Sequence, residues 1–223
     1  FGTDGFTVGD DNGCNGNGDN IVSWNWKAGD HDRNLASINN DGSIQSIVSA
    51  NKKAGFSIVK YKGTGFNNET VGHGLGVAPD MVIVKDLDNT NYWCVGGSAV
   101  GNGQNLYLND YGQRQTRDRV KSVQTNTFTL GSHFETNASY EFIAYCFASK
   151  DDYSRISTYP GSGNSQTIYV TDNDLSTGSG GFQPSWIIIK NMSLGNSNWM
   201  IYDAVRDTDG TLSEYLVAHS YSI

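Results

Sequence analysis

The chain has 223 residues, of which 37% are hydrophobic and 12% aromatic, so it can bury a core and is not a disordered segment. Its formal net charge of −8 argues against nucleic acid as a partner, because phosphates repel a negative surface and no dense basic stripe offsets it. No apolar run reaches the roughly 18 residues that a membrane-spanning helix needs, so no membrane insertion is predicted.

Short β-rich runs recur along the chain, and no stretch of ten or more residues has the apolar spacing of an amphipathic helix. The runs are bounded by glycine, asparagine and aspartate, which favour tight turns. In chain order, strands are predicted at residues 5–8, 21–27, 43–49, 55–62, 81–85, 92–96, 105–108, 127–130, 140–148, 154–158, 167–170, 185–190, 199–203 and 215–218. So many short strands predict an all-β fold made of one or more antiparallel β-sandwiches.

The predicted strands recur in the same order in two parts of the chain, which indicates an internal duplication. The matched stretches are 6–9 with 128–131, 21–26 with 142–147, 56–61 with 153–159, 79–85 with 184–190, Trp93 with Trp199, and 106–108 with 216–218. The first β-repeat is therefore assigned to residues 1–126 and the second to residues 127–223, either as separate sandwiches or with one shared core. Positions that occur in both copies, such as Trp93 and Trp199, are interpreted as scaffold.

One stretch has no counterpart in the second copy. Residues 31–51 are predicted to be an added hairpin with Asn40-Asp41-Gly42 at its turn. Because this insert is specific to one copy, specific contacts are expected there, as they are in the basic stretch 114–121.

Cysteine usage indicates the compartment in which the chain folds. Cys14, Cys94 and Cys146 cannot form a closed disulfide framework, and none belongs to a CxxC pair. Cys94 and Cys146 lie within aromatic runs and are interpreted as small buried hydrophobic side chains. This usage fits folding in a reducing cytoplasm, and the start at Phe1 without methionine predicts a segment of a longer or processed polypeptide.

The chain offers no recognisable catalytic set, so neither an enzyme nor a cofactor is predicted. No nucleophile elbow, HExxH motif or P-loop is present. The triplet Asp30-His31-Asp32 has residue types that bind metals or act as bases, but it lies in the hairpin insert. The acidic loop 10–20 lacks the ligand order of an EF-hand and is interpreted as a tight Asn/Gly hairpin, so no metal is predicted.

Sugar binding is the main functional alternative to a purely structural role. Aromatic rings stack on pyranose C–H surfaces, and neighbouring Asn and Asp side chains bond to the hydroxyl groups. The predicted glycan-binding residues are Trp24, Trp26, Tyr92 and Tyr107.

A local cluster of positive charge departs from the acidic average. It is interpreted as a solvated hairpin arm or a subunit contact, with an anion site as the alternative. Its members, the candidates for subunit contact, are Arg114, Arg117, Arg119 and Lys121.

Several motifs together resemble a repeat of marine bacteriophage virion proteins, similar to tail-fibre or tail-associated components of cyanophages. They are residues 181–190 followed by 199–203 and Arg206, together with 22–29, 40–44, 49–51, 54–59, 71–76 and Pro79. The resemblance implies a non-enzymatic virion protein of the tail or another surface appendage, made in the host cytoplasm and serving assembly and host attachment. By analogy with fibres, its partners would be other copies of itself in a homotrimer, other virion proteins and host surface polysaccharide. A lectin-like module is the alternative, and a polysaccharide depolymerase is a more distant one.

Overall fold

The chain is an antiparallel all-β sandwich, as predicted, in a computed structural model that describes residues 5–19, 21, 23–29, 36–170, 181–206 and 215–218. Within these ranges the helical structure is limited to α1, Asn12–Asn15. The strands are β1 Ser37–Asn39, β2 Ser46–Asn51, β3 Phe56–Lys62, β4 Thr70–Gly72, β5 Met81–Asp86, β6 Cys94–Gly96, β7 Gln104–Tyr107, β8 Gln115–Thr116, β9 Val120–Val123, β10 Thr127–Leu130, β11 Glu141–Phe147, β12 Trp186–Lys190, β13 Trp199–Asp203 and β14 Leu216–Val217.

A large sheet and a small sheet pack face to face around the main core. The large sheet has the order β1-β2-β3-β11-β5-β6-β7-β8, and the small sheet has the order β4-β10-β9. Because side chains alternate between the two faces of a strand, every second residue of β5 and β11 points into the space between the sheets. Those residues meet the small sheet in a fully buried cluster that includes Val82, Val84, Phe142, Ala144, Cys146, Val71, Phe128 and Leu130.

A third sheet covers part of the opposite face of the large sheet. It has the order β12-β13-β14. Met81 and Ile83, which alternate with the core residues of β5, pack with Val95 and Trp199 in a second cluster. Trp199 is 6% exposed, and its indole N–H donates to the carbonyl oxygen of Tyr107 at 2.8 Å. The described residues therefore form three layers, with the large sheet in the middle.

The two predicted repeats are interleaved in this arrangement. β11 pairs on one side with β3 and on the other with β5, so that Tyr145 lies opposite both Ile58 and Ile83. β10, likewise assigned to the second repeat, pairs with β4 and β9. Strands from both sides of residue 126 therefore share one core.

The structure differs from the predicted strands in several places. Segments 5–8, 154–158 and 167–170 are not strands, and neither are the described residues of 21–27. Outside the predicted insert, three strands lie where none is predicted, namely β4, β8 and β9. The missed strands are only two to four residues long, and their threonines, serines, glutamines and glycines read as turn or loop. In the predicted insert, β1 and β2 form a hairpin across Asn40-Asp41-Gly42, while residues 31–35 lie outside the described residues.

Buried His73 makes the stability of the sandwich sensitive to acid. Its side chain is inaccessible to solvent, with Nε2 3.1 Å from the carbonyl oxygen of Gln124 and Nδ1 accepting from the Leu75 N–H at 3.2 Å. The neutral ring, with its proton on Nε2, satisfies both contacts. Protonation of Nδ1 would set two donors against each other, and burial lowers the pKa of His73 below its usual value of 6.5.

Stability should therefore fall as the pH drops below about 6.5, because the unfolded chain then takes up a proton that the folded ring resists. One such histidine contributes at most about 1.4 kcal/mol per pH unit to the slope. Urea denaturation at several pH values between 7.5 and 5.5 would measure the free energy of unfolding. That free energy should change less with pH in His73→Gln than in the wild type. Parallel slopes for the two proteins would contradict the role of His73.

Candidate functional site

A shallow cavity of about 540 Å³ opens on the face of the large sheet that points away from the small sheet. We call it the Trp93 cavity. Ile143 and Tyr145 of β11 belong to its lining, and they alternate with the core residues of that strand. Its lining also includes Trp93, Lys85, Asp86, Asn89, Asn91 and Asn109.

Two aromatic rings on rigid backbone form one part of the cavity. The rings of Trp93 and Tyr145 are parallel to within 16°, and their centroids are 6.3 Å apart. Tyr145 is held in the middle of β11 by its pairing with two strands. The Trp93 N–H donates to Oδ1 of Asn109 at 2.9 Å, and its carbonyl oxygen accepts from the Leu108 N–H at 2.9 Å. Neither ring depends on a free loop for its position.

The polar part of the cavity is organised by the buried carboxylate of Asp86. Its Oδ1 accepts from the backbone N–H groups of Asp88 and Asn89, at 2.9 and 3.1 Å. Its Oδ2 accepts from the side-chain amides of Asn89 and Asn91, at 3.0 and 2.7 Å. Because both amides donate through Nδ2, their Oδ1 atoms remain as acceptors, and both residues line the cavity. Lys85 Nζ, in turn, donates to the carbonyl oxygens of Asp86 and Asn89, at 2.6 and 2.7 Å.

A second cluster, centred on Tyr107, is closed by its own contacts. Tyr107 OH and Arg119 Nε both donate to Oε2 of Glu135, at 2.7 and 2.6 Å. Arg117 Nη1 donates to Tyr107 OH at 2.7 Å, and its guanidinium lies 4.6 Å from the centre of the Tyr107 ring. Burial, together with the neighbouring Glu135, raises the pKa of Tyr107 to about 12, so its hydroxyl stays protonated. Glu135 compensates the charge of Arg119, while the guanidinium of Arg117 donates to neutral partners, Tyr107 OH and Oε1 of Gln115.

The structure does not bring the four predicted glycan-binding residues into one site. Tyr107 is only 7% exposed and has no free face for a sugar, so its prediction as a ligand contact is wrong. Tyr92 is 47% exposed, but its ring stacks on Tyr107 with centroids 4.6 Å apart. Trp24 and Trp26 are exposed, yet both contact Trp186, with ring centroids 6.3 and 5.9 Å away.

The match with Trp199 predicts a scaffold role for Trp93, but the two residues differ in the structure. Trp199 is buried in the core, whereas Trp93 is half-buried and lines the cavity. The available signal was the loop Asp86-Leu87-Asp88-Asn89-Thr90-Asn91, which is rich in amides and follows a buried strand just before Trp93.

The side chains of the predicted basic arm bond to the rest of the protein, and only Arg119 among them is buried. Arg119 is 9% exposed and paired with Glu135, so it is unavailable as a subunit contact, which corrects that prediction. Arg114 Nη1 donates to the carbonyl oxygen of Val100 at 2.9 Å. Lys121 Nζ donates to Oδ1 of Asn67 and Asn68, at 3.0 and 2.8 Å.

Two stretches of the sequence contain residue types that could bind a metal. Asp11, in the acidic loop 10–20, caps α1 through an Oδ1 contact of 2.8 Å with the Gly13 N–H. The triplet Asp30-His31-Asp32 lies outside the described residues. Among the residues that are described, no three His, Cys, Asp or Glu side chains are grouped as a metal site, and no helix is long and apolar enough to span a membrane.

Comparison with known proteins finds one family model that matches nearly the whole chain. A family model described as a domain of unknown function, DUF7483, matches residues 1–222. No curated protein and no solved structure matches the chain. Any activity or ligand must therefore be inferred from the residues of this chain.

Proposed function

We propose a function for this chain, which belongs to the DUF7483 family of domains of unknown function: it is a non-enzymatic, carbohydrate-binding module of an adhesive assembly. The observation that carries the proposal is the Trp93 cavity, whose lining combines two parallel aromatic rings with the side chains of Asn89 and Asn91. The resemblance of the sequence to marine phage tail-fibre proteins supports a place in a virion appendage that attaches to the host surface.

The chemistry of the cavity suits a sugar. The apolar C–H face of a pyranose packs against an aromatic ring, while its hydroxyl groups donate to acceptors at the ring's edge. Here Trp93 and Tyr145 supply the rings, and Asn89 and Asn91 supply the acceptors. The pre-formed backbone lowers the ordering cost of binding. A net charge of −8 disfavours strongly acidic polysaccharides, so neutral host glycans are the proposed ligands.

We propose further that the chain belongs to a multi-copy virion protein made in the host cytoplasm. The thiols of Cys94 and Cys146 are buried, and burial raises the pKa of each to about 12, so they stay protonated and need no oxidising compartment. Other copies of the chain, in a homotrimer, and other virion proteins are the proposed partners. A stable monomer in light scattering would count against the homotrimer. A density map of the virion that lacks this chain would contradict its assignment to the virion.

Replacing Trp93 by alanine should weaken glycan binding at least about tenfold, because one lost stacking contact plus its buried area exceeds about 1.4 kcal/mol. A glycan array would identify a binding sugar, and calorimetry with that sugar would compare the wild type, Trp93→Ala and Trp93→Phe. The phenylalanine variant keeps a ring and should retain part of the affinity.

Tyr92→Ala is the matched control, since Tyr92 is an exposed aromatic residue outside the cavity, and it should leave binding unchanged. Thermal melts of each variant would verify folding. If no neutral glycan binds, or if Trp93→Ala binds as the wild type does, the site proposal fails. Release of reducing ends from host polysaccharide would instead overturn the non-enzymatic assignment.

A further inference from the structure

β12 lies at the edge of the third sheet and has one paired side. In the described residues it pairs with β13 alone. Its sequence counterpart, β5, has partners on both sides, β6 and β11. An open edge presents unpaired N–H and C=O groups and recruits another strand.

The two hairpins that contain β5 and β12 have the same register. Ile83 lies opposite Val95 in the first hairpin, and the matched residue Ile188 lies opposite Ile201 in the second. The next pairs along, Val84 with Cys94 and Ile189 with Met200, also correspond. β12 therefore holds the place of β5 in its own sheet, and its open edge corresponds to the edge that β11 fills.

The counterpart of β11 in the duplication is the stretch that includes residues 23–26. In the large sheet, Phe147 of β11 lies opposite Met81 of β5. The residues that match this pair are Trp26 and Trp186, and their rings are 5.9 Å apart between centroids at an angle of 75°. Trp24 lies 6.3 Å from the same ring. Two residues that the duplication places opposite each other are thus already in contact.

Residues 23–26 nevertheless form no strand pairing in the structure. They are not in a strand, and Trp24 and Trp26 remain 42% and 46% exposed. Asn51 Nδ2 donates to the carbonyl oxygen of Lys27 at 3.2 Å, and Ala28 is buried, so the end of the segment is anchored beside β2. Alternating aromatic and polar residues suit an edge strand with one covered face.

We propose that the open edge of β12 is a strand-acceptor site and that residues 23–26 of the same chain occupy it. The strand runs antiparallel to β12, with Trp26 opposite Trp186 and Trp24 opposite Ile188. Closure buries the two exposed indoles against the third sheet and blocks the edge against other chains. It also removes Trp24 and Trp26 from the set of sugar-binding surfaces.

The register can be tested with a disulfide in a Cys14→Ser background, since Cys14 is the exposed cysteine of the described residues. Directly opposite residues of an antiparallel pair have Cα atoms about 4.5–5.5 Å apart, within the range of a disulfide. Trp24→Cys with Ile188→Cys should cross-link within one chain under mild oxidation. Ser23→Cys with Ile188→Cys is the control and should not, because neighbouring residues of a strand point to opposite faces.

Non-reducing electrophoresis and mass spectrometry of the cross-linked peptide would report the result. Cross-linking between two chains would assign the acceptor edge to a second copy and overturn the proposal. Equal cross-linking in both pairs, or none in a folded Trp24–Ile188 variant, would overturn it as well.

Hydrogen exchange on the wild-type chain gives a second test that needs no cysteine. The amides of β12 that face away from β13 should exchange at least about tenfold more slowly than in a Trp24→Ser, Trp26→Ser variant. Exchange in β5 should be the same in both proteins. Fast exchange along this edge in the wild type would contradict a paired strand.

Discussion

Glu135→Ala is expected to destabilise the folded chain by about 3–5 kcal/mol, the usual cost of removing one partner from a buried ion pair. Glu135 is 5% exposed, and its Oε2 accepts from Arg119 Nε at 2.6 Å and from Tyr107 OH at 2.7 Å. Without the carboxylate, the guanidinium of Arg119 would remain buried with no compensating charge. Chemical denaturation at neutral pH would measure the loss.

The matched control is Glu141→Ala. Glu141 pairs with Lys60 at 3.2 Å, but the two side chains are 40% and 50% exposed. Solvent screening limits such a pair to about 0–1 kcal/mol. If Glu135→Ala lowers the free energy of unfolding no more than Glu141→Ala does, the Tyr107 cluster does not depend on the charge of Glu135. Adding Arg119→Met to Glu135→Ala should recover part of the lost stability, because it removes the unpaired cation.

Phe128→Ala should cost about 3–5 kcal/mol, because it opens a cavity between the two packed sheets. Phe128 has no exposed surface, and its ring lies 6.0 Å from that of Tyr61, edge to face. It belongs to the core cluster that the small sheet and the large sheet share. The denaturant concentration at the midpoint of unfolding should fall accordingly. The dependence of the free energy of unfolding on denaturant concentration should change little.

Phe66→Ala serves as the control for the core substitution. Phe66 is 71% exposed, and surface changes of this kind lie within about 0.5 kcal/mol of the wild type. Similar midpoints for Phe128→Ala and Phe66→Ala would mean that the small sheet does not form the core described above.

The sequence alone was sufficient for the central strands. The runs at 81–85 and 140–148 are apolar on both faces, a pattern typical of strands covered on both sides, and both became central strands, β5 and β11. Strands at 127–130 and 199–203 were predicted to the residue, because β-rich residues end at clear turn signals there.

Residues 21–27 are predicted to be a strand from their alternating pattern, but a pattern alone does not make one. Alternation predicts which face of a strand is apolar, but a strand also needs a neighbour to bond with. The described residues of that segment have the pattern but are not in a strand, and the proposed partner, the open edge of β12, cannot be read from the pattern. The short strands β4 and β9 are the converse, because tertiary pairing with β10 makes strands of residues whose own pattern is weak.

The candidate site was largely a matter of tertiary structure. Composition and pattern determined that the chain is an acidic, all-β domain with aromatic strands, because burial and turn chemistry are local properties of sequence. They could not determine which aromatic rings meet. Trp93 and Tyr145 come together because β11 inserts between β3 and β5, and Tyr107 is closed off because Glu135 and two arginines converge on it. Such contacts depend on strand order, which pairs residues far apart in the chain and leaves no periodic signal along it.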